Sequence, residues 1–150
     1  MQAASFSPKK IHVLRIDPNE SVLETIEAWV KESGVTQAVV LGGYGTLASH
    51  HLHWVAHNRL PSANQYGKAE MGIEILAMNG IIADGEPHIH ISLSTPEGAY
   101  GGHLEPGCRT YVLCEVMLAE IDGPKLAHRM VDADVPGMGK GKVSQLQFAD

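Results

Sequence analysis

The chain is short of basic charge. Eleven Lys and Arg stand against seventeen Asp and Glu, a net charge of −6 with histidines neutral. A chain that binds DNA by itself usually carries a basic footprint. The nearest thing here is Lys140-Gly141-Lys142, which is too short to hold a duplex. Cysteine is equally sparse. Cys108 and Cys114 are the two thiols and neither sits in a C-x-x-C, which excludes a disulfide scaffold and leaves reduced, buried cysteine as the expectation. No apolar run approaches the roughly 18 residues of a membrane span. Met1 to Lys10 lacks the apolar core of a signal peptide. A soluble, cytoplasmic protein with no membrane partner is expected. No internal repeat or low-complexity tract appears. The glycine cluster Gly42-Gly43-Tyr44-Gly45 is no phosphate loop, since it lacks the G-x-x-x-x-G-K-[ST] pattern and no helical pattern follows it.

What is present is an ordinary globular composition, 44% hydrophobic and 19% charged, in 150 residues. That length supports one domain with a real core. Histidine is the excess: nine residues, eight of them at or after His50.

Residues 1–9 read as a loose arm and 10–150 as a single domain. Lys10 to Ile16 alternates as a strand. Asp17-Pro18-Asn19 is a turn and capping cluster, and a helix is predicted over 19–33. Val22, Ile26, Trp29 and Val30 recur at the helical period, early glutamates and late Lys31 suit the dipole, and Gly34 is the natural C-cap. Thr36 to Leu41 is an apolar strand that bends at the glycines and resumes from Thr46 to His57. Asn58 to Gly67 is a loop. Glu70 to Ala83 alternates as a strand, Arg109 to Ile121 is apolar on both faces, 122–141 reads as a connection, and Val143 to Phe148 adds a last strand. The sum is seven or eight strands and one main helix, an α+β fold with a mostly antiparallel or mixed sheet. A strand apolar on both faces is covered twice over, by the core and by a neighbouring layer or subunit.

The most informative stretch is 87–104. Ile89, Ile91 and Leu93 point one way in a strand, and His88, His90, Ser92 and Ser94 the other. Thr95-Pro96-Glu97-Gly98 is a turn. A loop built on a type I turn pairs Ser94 with Ala99 and sets His90 opposite His103, with His88 two residues along the same face. Three imidazoles then converge, which is the protein half of an open metal site with a fourth position for water or substrate. A three-residue loop with a bulge at Gly98 would slip the register by one and turn His103 to the other face. Ordinary surface histidines are the alternative to both. A second cluster, His50, His51, His53 and His57, puts three rings on one strand face, but nothing nearby in the chain supplies a cross-strand ligand.

Gly72-Ile73-Glu74-Ile75-Leu76, His88 to Leu93, Gly101-Gly102-His103-Leu104 and Cys114-Glu115-Val116, in that order, resemble the "plants and prokaryotes conserved" (PPC) domain over roughly residues 10–148. The resemblance implies an α+β fold that assembles as a homotrimer. It also implies a DNA-binding label, which in plants accompanies AT-hook motifs. This chain has no AT-hook-like Arg-Gly-Arg core. The fold is also similar to that of acetolactate decarboxylases, in which H-x-H plus a later histidine hold zinc. The matching positions are His88, His90 and His103, so a divalent metal, zinc by that likeness, is the implied cofactor. That family's carboxylate ligand and catalytic arginine find no clear counterpart; Glu74, Glu115, Arg109 and Arg59 are the candidates. Two functions follow as expectations: a trimer whose metal site binds or acts on a small molecule, or a DNA-associated scaffold.

Overall fold

Period-two alternation marks most of the eight strands, and one amphipathic helix packs on the main sheet. In this computed structural model, which describes residues 1–149, the order is β1 (Ser7–Ile16), α1 (Val22–Ser33), β2 (Gln37–Val55), β3 (Asn64–Ala83), β4 (Glu86–Thr95), β5 (Gly98–Leu104), β6 (Arg109–Asp122), β7 (Lys125–Val135) and β8 (Gly139–Ala149). Six strands form one sheet in the order β1-β6-β2-β3-β4-β5, and β5 pairs again with β2, so β2 to β5 close on themselves. The sheet pairings are antiparallel. This is the α+β, mostly antiparallel architecture that the periodicities predict.

The helix follows from its stripe. Val22, Leu23, Ile26 and Val30 are buried, and Gly34 ends the helix in the left-handed region (φ 71°) with its N–H donating to the Val30 carbonyl. The first helical residue is Val22, because 17–20 form a turn closed by the Glu20 N–H on the Asp17 carbonyl. The stripe packs into one core with Leu47, Leu52, Met78, Ile89, Ile91, Leu93 and Leu104 from the sheet.

Besides the start of β3 at Asn64, inside the stretch expected as a loop over Asn58 to Gly67, three larger features differ from the sequence reading. The two segments either side of the glycine cluster are one 19-residue strand, β2, whose register shifts near Val40/Gly42 and Leu47/Ser49. Such bulges bend a strand without ending it. Here they let the first part of β2 pair with β6 and its end with β5. Second, β1 starts at Ser7, which pairs with Asp122, so 7–9 are strand and not arm. Third, 122–141 is no connection: β7 occupies most of it and pairs with β8 along its whole length. Its side chains are mainly half-exposed or exposed on both faces, so it carries little apolar alternation to read.

Candidate metal centre

The β4–β5 turn delivers the register the histidine spacing requires. Ser94 faces Ala99 and His90 faces His103. On the far side of β5, His103 also faces His53 of β2. His90, His103 and His53 therefore stand in a row across three adjacent strands, and His88 lies two residues from His90 on the same face. The strands must lie close here. A Cβ on Gly102 would come within 2.8 Å of the His53 carbonyl oxygen, and one on Gly80 within 2.2 Å of the His88 carbonyl oxygen, so both positions need glycine. The Trp54 indole N–H donates to the Gly101 carbonyl and fixes the β2–β5 seam.

Ring centres of His53 and His103 are 4.4 Å apart, His88 and His103 4.7 Å, His88 and His90 5.4 Å, and His90 and His103 5.4 Å. Two imidazoles on one zinc ion, with Zn–N about 2.0–2.1 Å, put their ring centres roughly 4.5–5.2 Å apart. Only the His88–His103 separation falls inside that range; the stacked His53–His103 pair lies just below it and the two pairs involving His90 just above it. Glu105, just past the end of β5, completes a tighter set. His53 Nδ1 lies 2.5 Å from Glu105 Oε1 and His103 Nδ1 lies 3.4 Å from the same oxygen. The second contact is not aligned as a hydrogen bond: His103 Nδ1 is buried without a partner. His53, His103 and Glu105 each offer a ligand atom within 4.8 Å of the others. An orphaned imidazole nitrogen beside a half-buried carboxylate is a donor set that a divalent cation satisfies.

The local field favours the neutral form of His88 and of His103. Burial first, then repulsion from His103, His128, His90 and His53, pushes His88 down to about 4. Burial also lowers His103, with His53 adding to the effect and Glu105 opposing it. Neutral imidazole is the ligating form.

A family model for the "Plants and Prokaryotes Conserved (PCC) domain" matches residues 3–122. The chain belongs to this family. Among solved structures, a plant- and prokaryote-conserved (PPC) protein of Pyrococcus horikoshii superposes with a TM-score of 0.73 at 25% identity, over 93% of this chain and 96% of that one. A metal-containing protein of Archaeoglobus fulgidus gives 0.72 at 24% identity over the same shares. A candidate DNA-binding protein of Bacteroides thetaiotaomicron gives 0.70 at 19% identity, over 95% and 97%. Among curated proteins, the bifunctional protein GlmU of a Synechococcus strain is 31% identical over 114 residues, which is 74% of this chain but 17% of that protein. This PCC chain thus spans about a sixth of the length of that relative.

Within the PCC fold, the remaining candidates stand apart from the histidines. Glu74 is exposed and faces Thr46 and Ser94, seven residues up β2 from His53. Glu115 accepts a hydrogen bond from the Tyr44 hydroxyl, nine residues from His53 along the same strand. Arg109 donates to Asn19 Oδ1 at 3.0 Å and lines a separate cleft with His50 and His51. Arg59 is exposed in the loop after β2. His57 is exposed in that loop too, and His50 turns inward, 7% exposed, against Tyr100. The expectation that the second histidine cluster lacks a cross-strand ligand is corrected: His53 has one in His103. Sequence reading missed this, and missed Glu105, because His103 stands 50 residues after His53 on a separate strand. The signal was there in part, in the shared face of His51 and His53.

Proposed function

We propose that this PCC-domain protein holds a divalent metal ion, zinc by its ligand chemistry, at the histidine cluster of β2, β4 and β5, and presents it to a small molecule. The orphaned, buried Nδ1 of His103 beside Glu105 is the observation that carries the reading. His103 is the shared ligand. His53 and Glu105 accompany it in one donor set, and His88 and His90 in the other. When bound, the ion would supply Lewis acidity toward a carbonyl or phosphoryl oxygen. The chain's own part is to keep the His88 and His103 rings neutral by burial and to hold His53 through its Nδ1–H on Glu105. Metal analysis of protein purified without chelator tests the proposal. Near-stoichiometric zinc is expected in the native chain and none in His103→Ala. Loss in His53→Ala and Glu105→Gln but not His88→Ala assigns the His53–His103–Glu105 set; the reverse assigns His88–His90–His103. A metal-free native protein that also fails to take up added zinc would refute it.

Self-association belongs to the same reading, as a homotrimer. Leu41, Tyr44, Leu76 and Tyr111 on β2, β3 and β6 are 50–60% exposed, a concentration of apolar surface that a monomer seldom leaves open. Among the described residues no helix is long and apolar enough to cross a membrane, and a cytoplasmic location is part of the proposal. DNA association, supported by the names of structural neighbours, is opposed by the net charge of −6. A gel shift on AT-rich duplex at low salt tests it, since electrostatic binding should appear there and fade steeply as salt rises.

A further inference from the structure

The β7–β8 hairpin lies beyond residues 3–122, the stretch the family model matches. It pairs with no other strand. Four contacts hold it to the body, one of them the exposed pair of Arg129 Nη2 with Asp84 Oδ2 at 3.3 Å. At its base, Leu126, 2% exposed, joins a small apolar cluster with Ala83, Ile121, Phe6, Ile81, Leu146 and Phe148, and its N–H donates to Gln37 Oε1 at 3.3 Å. At its tip, the Met138 carbonyl accepts the Leu60 N–H at 2.7 Å, in the loop that follows β2 and His53. Between them, His128 lays its ring on His88, centres 5.1 Å apart and planes 28° from parallel. From Leu126 to Val135 an extended strand covers about 30 Å. The hairpin is thus fixed at both ends and touches the histidine cluster on the way.

We infer that this hairpin is the cover of the metal centre, and that His128 is a positioning residue which holds the His88 ring in place by stacking on it. The inference rests on the metal reading above. A two-stranded ribbon is only marginally stable alone, so its order depends on such contacts. Fixing His88 at an ion stiffens one half of the stack. By reciprocity, a hairpin that is held down makes ion binding tighter. Residues that orient a ligating histidine typically contribute about 10–100-fold to metal affinity.

The test combines zinc titration with amide hydrogen exchange of 125–149 in the full chain. In the native protein, added zinc should slow exchange in β7 and β8. His128→Ala should weaken zinc binding about tenfold or more and abolish the slowing. His128→Phe keeps a flat ring and cannot ligate, so it should restore most of both effects and also serves if the alanine variant folds poorly. Unchanged hairpin exchange on zinc binding, with native affinity in His128→Ala, would overturn the cover while leaving the metal site standing. A Phe variant as weak as the Ala variant would overturn positioning by stacking. Failure of the native protein to bind zinc would remove the metal reading itself, and this inference with it.

Discussion

Free of metal, His88 should make the fold acid-labile in a range where most carboxylates are still ionised. Burial and four neighbouring imidazoles disfavour its cation, so the folded-state value falls from 6.5 to about 4. A base whose folded value is depressed leaves stability intact above the unfolded value. Stability is then lost as pH drops through 6.5 and levels off near 4, because the unfolded chain binds the proton first. Taken at face value, the loss at pH 5 relative to pH 7.5 is about 2 kcal/mol, rising toward about 3 kcal/mol at lower pH. The ring is half-buried and can turn toward water, which trims the effect at pH 5 to about 1–2 kcal/mol. Urea unfolding followed by far-ultraviolet circular dichroism, with chelator present, gives the measurement. Native protein and His88→Asn are compared at both pH values. Carboxylates and the other histidines titrate in both proteins, so the difference between the two drops isolates His88. The native chain should lose about 1–2 kcal/mol more than the variant. Equal losses would show that the ring is hydrated and that the cluster is no low-dielectric pocket.

Further outcomes follow from the same geometry. Gly80→Ala would drive a Cβ to 2.2 Å from the His88 carbonyl oxygen, so β3 and β4 must part; a loss of about 2–4 kcal/mol in urea unfolding is expected, and a neutral result would contradict the strand spacing. Cys108 and Cys114 are fully buried, their thiols pushed up to about 11 and about 12, so neither should react with a thiol reagent in native protein on a timescale of minutes at pH 8, and rapid labelling of either would contradict their placement. Leu76→Asp, at a side chain 56% exposed on β3, should shift the assembly to monomer in light scattering coupled to size exclusion; a native protein that is already monomeric at micromolar concentration would end the assembly reading.

The parts of the fold that local pattern controls were legible from the residues. The α1 stripe with its Gly34 cap is one such part, and the β4–β5 hairpin is another. There a turn at Thr95–Gly98 and the alternation of Ile89, Ile91 and Leu93 left two registers, and the structure takes the one that sets His90 against His103. What could not be read is what long-range pairing decides. β2 looked like two strands because its glycines and bulges interrupt the period, yet those same bulges steer its end away from β6 and onto β5. His53 therefore reaches the cluster from the opposite edge of β5, and Glu105 follows because the chain leaves β5 beside it. β7 escaped notice for a different reason. A ribbon with water on both faces needs little apolar alternation, and His128, the residue by which it meets the histidine cluster, looks like any surface histidine.

This pattern explains why His103 is the position on which the site turns. β5 is short, seven residues, and is the strand that both β4 and the end of β2 must flank for β2 to β5 to close. Its residue paired with both neighbours is His103, with His90 on one side, His53 on the other and Glu105 two residues on. One proposed donor set adds His88 and His90 from β4, the other adds His53 from β2 and Glu105 from the end of β5, so the other members of either can be removed while those of the other remain in place. His103 belongs to both. A substitution on one flank should therefore abolish binding only where that flank's set holds the ion, and a substitution at His103 should abolish it in either case. With cobalt(II) in place of zinc, variants of one flank would lose the visible absorption band, variants of the other would keep it, and His103→Ala would show no band at all. A retained band in His103→Ala would move the site off β5.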